Sequence, residues 1–249
     1  MSFVSADIGG SGVRLVKYRD DNPFEEYRSD ANSFDSFIGA IKRVEPRPEG
    51  VGISLAGFVN SHSGHVRLSR SAPWSQGEFR NEVSRALNCP VSLMNDGEAH
   101  ALAIKAMKGV QLGAIALSIG TSLGMGVLDA SGKVMRLCSG ENWDVGKVQL
   151  KSSASNNSVW FALGSLGLRQ LEEKYGDRIR AQRRFGYRLG SYIVQLTNTF
   201  QPQSVVLSGG ISNVAWHRIE PVIQEELQAV PAHLRSLRSC CRRSRVVPV

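Results

Sequence analysis

Asp7-Ile8-Gly9-Gly10-Ser11-Gly12-Val13 closes one apolar run, Phe3 to Ile8, and opens another, Val13 to Tyr18. Two short strands joined by a glycine-rich turn make a hairpin. A second stretch, Ser118-Ile119-Gly120-Thr121-Ser122-Leu123-Gly124-Met125-Gly126-Val127, has the same form: the apolar run Ala114 to Ile119 enters the glycines and Val127 to Leu128 leaves them. Two halves that open alike are what an internal duplication produces. The expected fold is therefore α/β with two lobes, residues 1–108 and 109–249, divided near Lys105 to Gln111.

Working outward, helices and strands alternate. A third strand is expected near Phe24 to Arg28. Phe34, Phe37, Ile38 and Ile41 recur at helical spacing behind Asn32 or Ser33 as a cap. Pro46 to Gly50 is a break, Val51 to Leu55 a buried strand, Phe79 to Leu87 a helix, and Val91 to Met94 the next strand. A helix is expected over Ala99 to Met107. The second half should hold helices over about Val159 to Tyr175 and over Ile179 to Phe200. A strand, Ser204 to Leu207, and a helix after Gly209-Gly210 complete it.

Composition narrows the class. A chain of 249 residues is long enough to split into two cores. No run approaches the roughly 20 apolar residues of a membrane span, and the first residues lack the basic and apolar regions of a secretory signal. Cys89, Cys138, Cys240 and Cys241 show no framework spacing, so a cytoplasmic location is expected. Much of the net charge of +8 lies in Arg235 to Arg245, a stretch without acids. No aromatic residues interleave with its arginines, so it reads as a solvated tail. Neither a nucleic acid nor a membrane is expected as a partner.

Four motifs bear chemistry. In Asp7 to Gly12, glycines let backbone N–H groups approach a phosphate, and an acid at a strand end can serve Mg²⁺. Gly120-Thr121-Ser122 with Gly124 offers hydroxyls and bare backbone in the same way. Val205-Val206-Leu207-Ser208-Gly209-Gly210-Ile211 runs a buried strand into glycines that suit a nucleotide at a helix start. For each, an ordinary tight turn is the competing reading. Asn95-Asp96-Gly97-Glu98-Ala99-His100 follows a strand and opens a helix. Asp96 suits a general base in phosphoryl transfer, and it equally suits a helix N-cap.

In this order the motifs resemble the ROK family of sugar kinases and repressors, within the superfamily that includes actin and hexokinase. Its members open with Asp-x-Gly-Gly-Thr, place Asn-Asp before a helix, and continue with Gly-Thr-Gly-x-Gly-x-Gly and a strand ending Gly-Gly-Gly. Phe3 to Ile223 is covered, including Ala56-Gly57-Phe58-Val59 and Gly64-His65-Val66, which look like the family's element near the sugar. The resemblance implies a two-lobed actin-like ATPase (ribonuclease H-like) fold with a cleft between duplicated lobes. It implies ATP and Mg²⁺, with Asp7 at the metal, directly or through water. Gly9, Gly10, Ser11 and Gly12 would form the first phosphate loop, and Gly120, Thr121, Ser122 and Gly124 the second. Gly209 and Gly210 would face adenosine, Asp96 would be the base, and Asn95, Gly57 and Asp144 would lie at the sugar. A homodimer is also implied.

The sequence departs from the family in three places. Where many members carry Gly-Glu-x-Gly-His and a cysteine-rich zinc loop, this chain has Trp143-Asp144-Val145-Gly146-Lys147. A protonated Lys147 is no zinc ligand, and no cysteine lies between Cys138 and Cys240, so no zinc is expected. Ser71-Ala72-Pro73-Trp74 lacks the usual Asn before Trp. After about Ala232 the family's closing helix is not matched. The expected function is ATP-dependent phosphorylation of a sugar hydroxyl, on a hexose or a related sugar. The alternatives are a catalytically weak or inactive sugar or nucleotide sensor of the same fold, and a kinase for an amino sugar or another polyol. Family repressors carry an N-terminal helix-turn-helix, so a chain opening at its first strand is expected not to be one.

Overall fold

The computed structural model describes residues 2–10, 12–20, 22–107, 110–143, 162–210, 215–228 and 245–247. The arginine-rich stretch, apart from Arg245, lies outside them. The chain forms two compact units, Met1–Ala99 with Arg136–Asn142, and His100–Met135 with Trp143–Val249.

The first unit is a five-stranded sheet in the order β3-β2-β1-β4-β7. β1 (Ser2–Gly9) and β2 (Gly12–Arg19) form the expected hairpin, closing at Gly9 opposite Gly12, and β3 (Asn22–Ser29) extends it. β4 (Gly50–Leu55) and β7 (Val91–Asn95) add in parallel. Along β1 the alternation is strict where it matters: Val4, Ala6 and Ile8 are buried and Asp7 is exposed. A period of two sends Asp7 to the face opposite the core.

α1 (Phe34–Val44) starts where Ser33 and Ser36 cap each other reciprocally. Asp35 in its first turn and Lys42 and Arg43 in its last complement the helix dipole. Its buried face, Phe37, Ile38, Ile41 and Val44, joins Phe79 and Val83 of α2 (Phe79–Leu87) in the core. Trp74, in the turn Pro73–Ser75, closes this cluster, 5.4 Å from the Phe37 ring and 5.7 Å from that of Phe79. The two-stranded β5 (Phe58–Asn60) and β6 (His65–Leu68) lie between β4 and α2 in sequence.

The second unit repeats the plan in the order β10-β9-β8-β11-β12. β8 (Ala114–Ile119) pairs antiparallel with β9 (Leu123–Leu128) and parallel with β11 (Ser204–Ser208), as β1 does with β2 and β4. β10 (Val134–Met135) pairs with β9 at one edge. β12 (Arg245–Val247) differs from β7 in running antiparallel to its neighbour. The core sets Ile115, Leu117 and Ile119 of β8 against Phe185, Leu189 and Ile193. Those three lie on α5 (Arg178–Phe200), which follows α4 (Ser165–Tyr175) and precedes α6 (Trp216–Leu227). A smaller cluster joins Ala114, Ala116 and Val206 to Ala101 and Ile104 of α3 (Asp96–Lys105). Helix α3 begins at Asp96, three residues before the expected Ala99, because a cap forms one residue before it.

Candidate functional site

Within the first unit, parallel pairing brings three strand ends together. Asp7 of β1 lies opposite Ser54 of β4, and Leu55 lies opposite Asn95 of β7. The carboxyl ends of parallel strands in open α/β sheets are where ligands bind. The exposed Asp7 carboxylate accepts a hydrogen bond from Ser54 Oγ at 3.0 Å. Ser54 was not singled out in the sequence; the parallel register of β1 and β4 is what identifies it.

The start of α3 is capped by Asn95. Its Oδ1 accepts from the Gly97 N–H at 2.8 Å, and Glu98, three residues on, accepts from the Asn95 N–H at 3.3 Å. The Asn95 amide nitrogen donates to the carbonyls of Gly57, at 2.8 Å, and Leu55, at 3.5 Å. Asn95 is buried, and its side chain ties β7 to the turn after β4. Gly57, at φ 156°, sits so close to the Leu68 carbonyl that a Cβ would collide with it. Gly57 therefore also has a packing role in this fold.

Because Asn95 holds the cap, Asp96 stands at the first helical position. Its Oδ1 shares the Gly97 N–H at 3.0 Å, and the residue is exposed by surface area. Protein nevertheless crowds the carboxyl. Loss of hydration pushes its pKa up to about 6, the nearby Asp7 charge adds to the rise, and the Gly97 N–H and the Asn95 side chain pull the other way.

Glu98 is almost wholly buried. Besides capping Asn95 it accepts from Ser61 Oγ, and it forms an ion pair with Arg136 at 2.7 Å. Arg136 begins the segment that the second half lends to the first unit. Asn142, at the other end, accepts from the Val59 N–H at 2.9 Å, while Glu141 pairs with Arg67 at 2.7 Å. Glu98 was not singled out in the sequence as a structural anchor. The spacing Asn95-x-x-Glu98 was the available signal.

In the second unit the Gly120–Ser122 turn is held by the start of α4, where the Ser165 N–H donates to the Gly120 carbonyl at 2.9 Å. A Cβ on Gly164 would strike the Thr121 carbonyl, so Gly164, also missed, allows this approach. Gly120 and Thr121 are exposed, and Ser122 and Gly124 are half-buried. Gly209, at φ 99°, packs against the backbone of Ile119 and so joins the ends of β11 and β8. Ser208, before it, is bonded to His100 Nε2 at 2.8 Å, and burial lowers the His100 pKa.

Gly9, Gly10 and Gly210 differ from these. A Cβ at any of them meets nothing within 4 Å, and none has a positive φ. Gly12, at φ 106°, does require glycine. The bare backbone at the other three has no packing explanation, and it fits phosphate or nucleotide approach. Asp7 with phosphate oxygens matches the sparse protein ligation usual for Mg²⁺. Among the described residues no three His, Cys, Asp or Glu side chains gather as metal ligands. Ser11, Asp144 and Lys147 lie outside the described residues.

The sequence pattern of the ROK family matches residues 13–157, more than half of the chain. A curated relative, the xylose repressor of Caldicellulosiruptor bescii, is 24% identical over 85% of this chain and 66% of its own length. The chain thus spans just under two thirds of that relative. Among solved structures, a ROK family glucokinase from Streptomyces griseus in complex with glucose and AMPPNP superposes with a TM-score of 0.78 at 16% identity, over 95% of this chain and 92% of that one. A ROK hexokinase from Thermus thermophilus gives 0.72 at 21% identity, over 93% and 91%. These likenesses establish the two-lobed actin-like ATPase fold.

Proposed function

The chain belongs to the ROK family, and from that premise we propose that it transfers the terminal phosphoryl group of ATP to a sugar hydroxyl, with Asp96 as the general base. The observation that carries this reading is the division of labour at the start of α3. Asn95 and Glu98 complete the cap, so the Asp96 carboxylate is not needed to begin the helix. It stays accessible, with a carboxyl pKa near 6. Such a group is largely ionised at neutral pH, yet basic enough to take a proton as the hydroxyl oxygen attacks.

The remaining roles follow from the same reading. Backbone N–H groups of Gly9 to Gly12 and of Gly120 to Gly124, with the Thr121 and Ser122 hydroxyls, donate to phosphate oxygens. Gly209 and Gly210 offer flat backbone to adenosine. Asp7, steadied by Ser54, would hold Mg²⁺ directly or through water, and the ion would supply charge neutralisation at the phosphate oxygens. Asn95 and Gly57 position the base and the sugar side of the site, and Ser11 and Asp144 belong to the same proposal. A hexose is the favoured substrate class, in keeping with the glucose complex of the S. griseus relative.

A sugar-responsive regulator of this fold is the second reading, favoured by the similarity to a xylose repressor. One assay separates them: ADP release with Mg·ATP across hexoses, pentoses, amino sugars and polyols, run beside Asp96→Asn. Sugar-stimulated release that falls by about 10² to 10⁴ in the variant supports the kinase. Saturable sugar binding without stimulated release in the unaltered protein overturns it in favour of the regulator.

A further inference from the structure

Away from these residues, the second unit carries a groove of about 630 Å³ lined by Tyr175 at the end of α4, by Arg180, Arg183, Arg184 and Tyr187 of α5, and by α6 through Glu225. The three arginines and Tyr187 are exposed, at spacings that share a helix face. Among the described residues none of the three arginines is in an ion pair. Exposed arginines without acids are common, but two of these are held in place. The Arg180 guanidinium stacks 4.6 Å from the Tyr175 ring centre, and that of Arg184 stacks 4.9 Å from Tyr187. A guanidinium over a ring face keeps N–H groups available to an anion and loses fewer conformations on binding one.

Two acids line the same groove. Asp177 is engaged as the α5 cap, accepting from the N–H groups of Ile179 and Arg180 at 2.8 and 3.2 Å. Glu225 is in no ion pair among the described residues, and its charge opposes a bound anion. Arg188, one turn beyond Arg184, is half-buried and feels the Arg184 charge. The positive field therefore continues along α5.

We propose that this groove binds a small oligophosphate anion, distinct from the ATP site assigned above. The geometry favours phosphate over carboxylate. A planar carboxylate satisfies one or two guanidinium forks, whereas phosphoryl groups present oxygens in several directions and can serve three. The forks are spread over about one helical turn of α5, roughly 6 Å along its axis, a span that linked phosphoryl groups fill better than a single one.

The test is calorimetric titration of the full chain with inorganic phosphate, pyrophosphate, tripolyphosphate and citrate, without magnesium. It is run beside Arg180→Gln/Arg184→Gln, Glu225→Gln and Thr121→Val. Saturable binding should strengthen from phosphate to tripolyphosphate and exceed that of citrate. It should weaken about tenfold in the double arginine variant and tighten about threefold in Glu225→Gln. In Thr121→Val the arginine-dependent component should persist. Loss in Thr121→Val with the arginine variant unaffected would assign the anion to the nucleotide loops and overturn the proposal. So would absence of saturation, equal binding of citrate, or, in a further titration with a short single-stranded oligonucleotide, tighter binding of that probe. The groove and the sugar kinase stand or fall separately, because no arm of this experiment measures sugar turnover.

Discussion

At the scale of single residues, the cap and the proposed base fall to two neighbours, Asn95 and Asp96. The sequence left Asp96 between cap and base, and the structure gives the cap to Asn95 through the Gly97 N–H. The pattern Asn-x-x-Glu was legible all along, but its weight depended on β7 ending at Asn95, and strand ends are hard to read from sequence alone. One consequence is kinetic. If Asp96 is the base proposed above, its carboxyl, pushed up to about 6, is protonated and inert below that pH, so kcat/KM for the sugar should rise with pH through about 6 and then level. A pH profile flat from 5 to 8 would remove Asp96 from the chemistry. The other consequence is thermodynamic. A carboxyl whose folded pKa is raised above its ordinary 3.8 is penalised in the native state whenever it is ionised. Asp96→Asn should therefore stabilise the fold at pH 7, on the order of 1 kcal/mol after discounting for solvent access. The gain should shrink as pH falls through 6 and vanish below about 4. Thermal melts of the variant and the unaltered chain across that range check the sign.

At the scale of elements, the hairpins and α1, α2 and α5 were legible because their apolar periods are regular. The segment Arg136–Asn142 was not. Its membership of the first unit rests on side-chain bonds across long sequence separations, Arg136 with Glu98 and Asn142 with Val59, and no local pattern announces these. Glu98 is 1% exposed, and removing its partner strands a buried charge. Arg136→Met should cost about 3 kcal/mol in denaturant unfolding, and Glu98→Gln/Arg136→Met should recover a good part of that. A double variant no more stable than Arg136→Met alone would show that the ion pair is not what fastens the segment. Gly164 is the corresponding position in the second unit. Gly164→Ala forces a Cβ against the Thr121 carbonyl and so moves the turn on which α4 begins. The expected result is a loss of about 1–3 kcal/mol and an ATP KM raised more than that of the sugar. An equal rise in both would mean that the turn does not belong to the nucleotide.

At the scale of the whole molecule, the duplication seen in two glycine turns extends to strand order. β3-β2-β1-β4-β7 and β10-β9-β8-β11-β12 differ in direction only at the last strand. Each sheet has its own core, around Phe37 and Phe79 in one unit and around Leu117 and Phe185 in the other. That part of the architecture was readable because a repeated hairpin is a local signal and strand pairing follows from it. What was not readable is which of the glycines in these turns also serve packing. Gly10 and Gly209 look alike in the sequence, and only their neighbours separate them. If the loops serve the substrates as proposed, each ligand alone should slow amide exchange at its own loops. Glucose, or whichever sugar stimulates turnover, should protect the peptides holding Gly57 and Asn95 to Glu98. AMPPNP with magnesium should protect those holding Gly120 to Gly124 and Ser208 to Gly210, along with Gly9 and Gly10. Protection reports local opening within a cooperative unit, so a ligand seated in one core's loops raises the opening free energy there first. Exchange slowed by the nucleotide only in the first unit would reverse the assignment of the glycine turns, even if the protein proved to be a kinase.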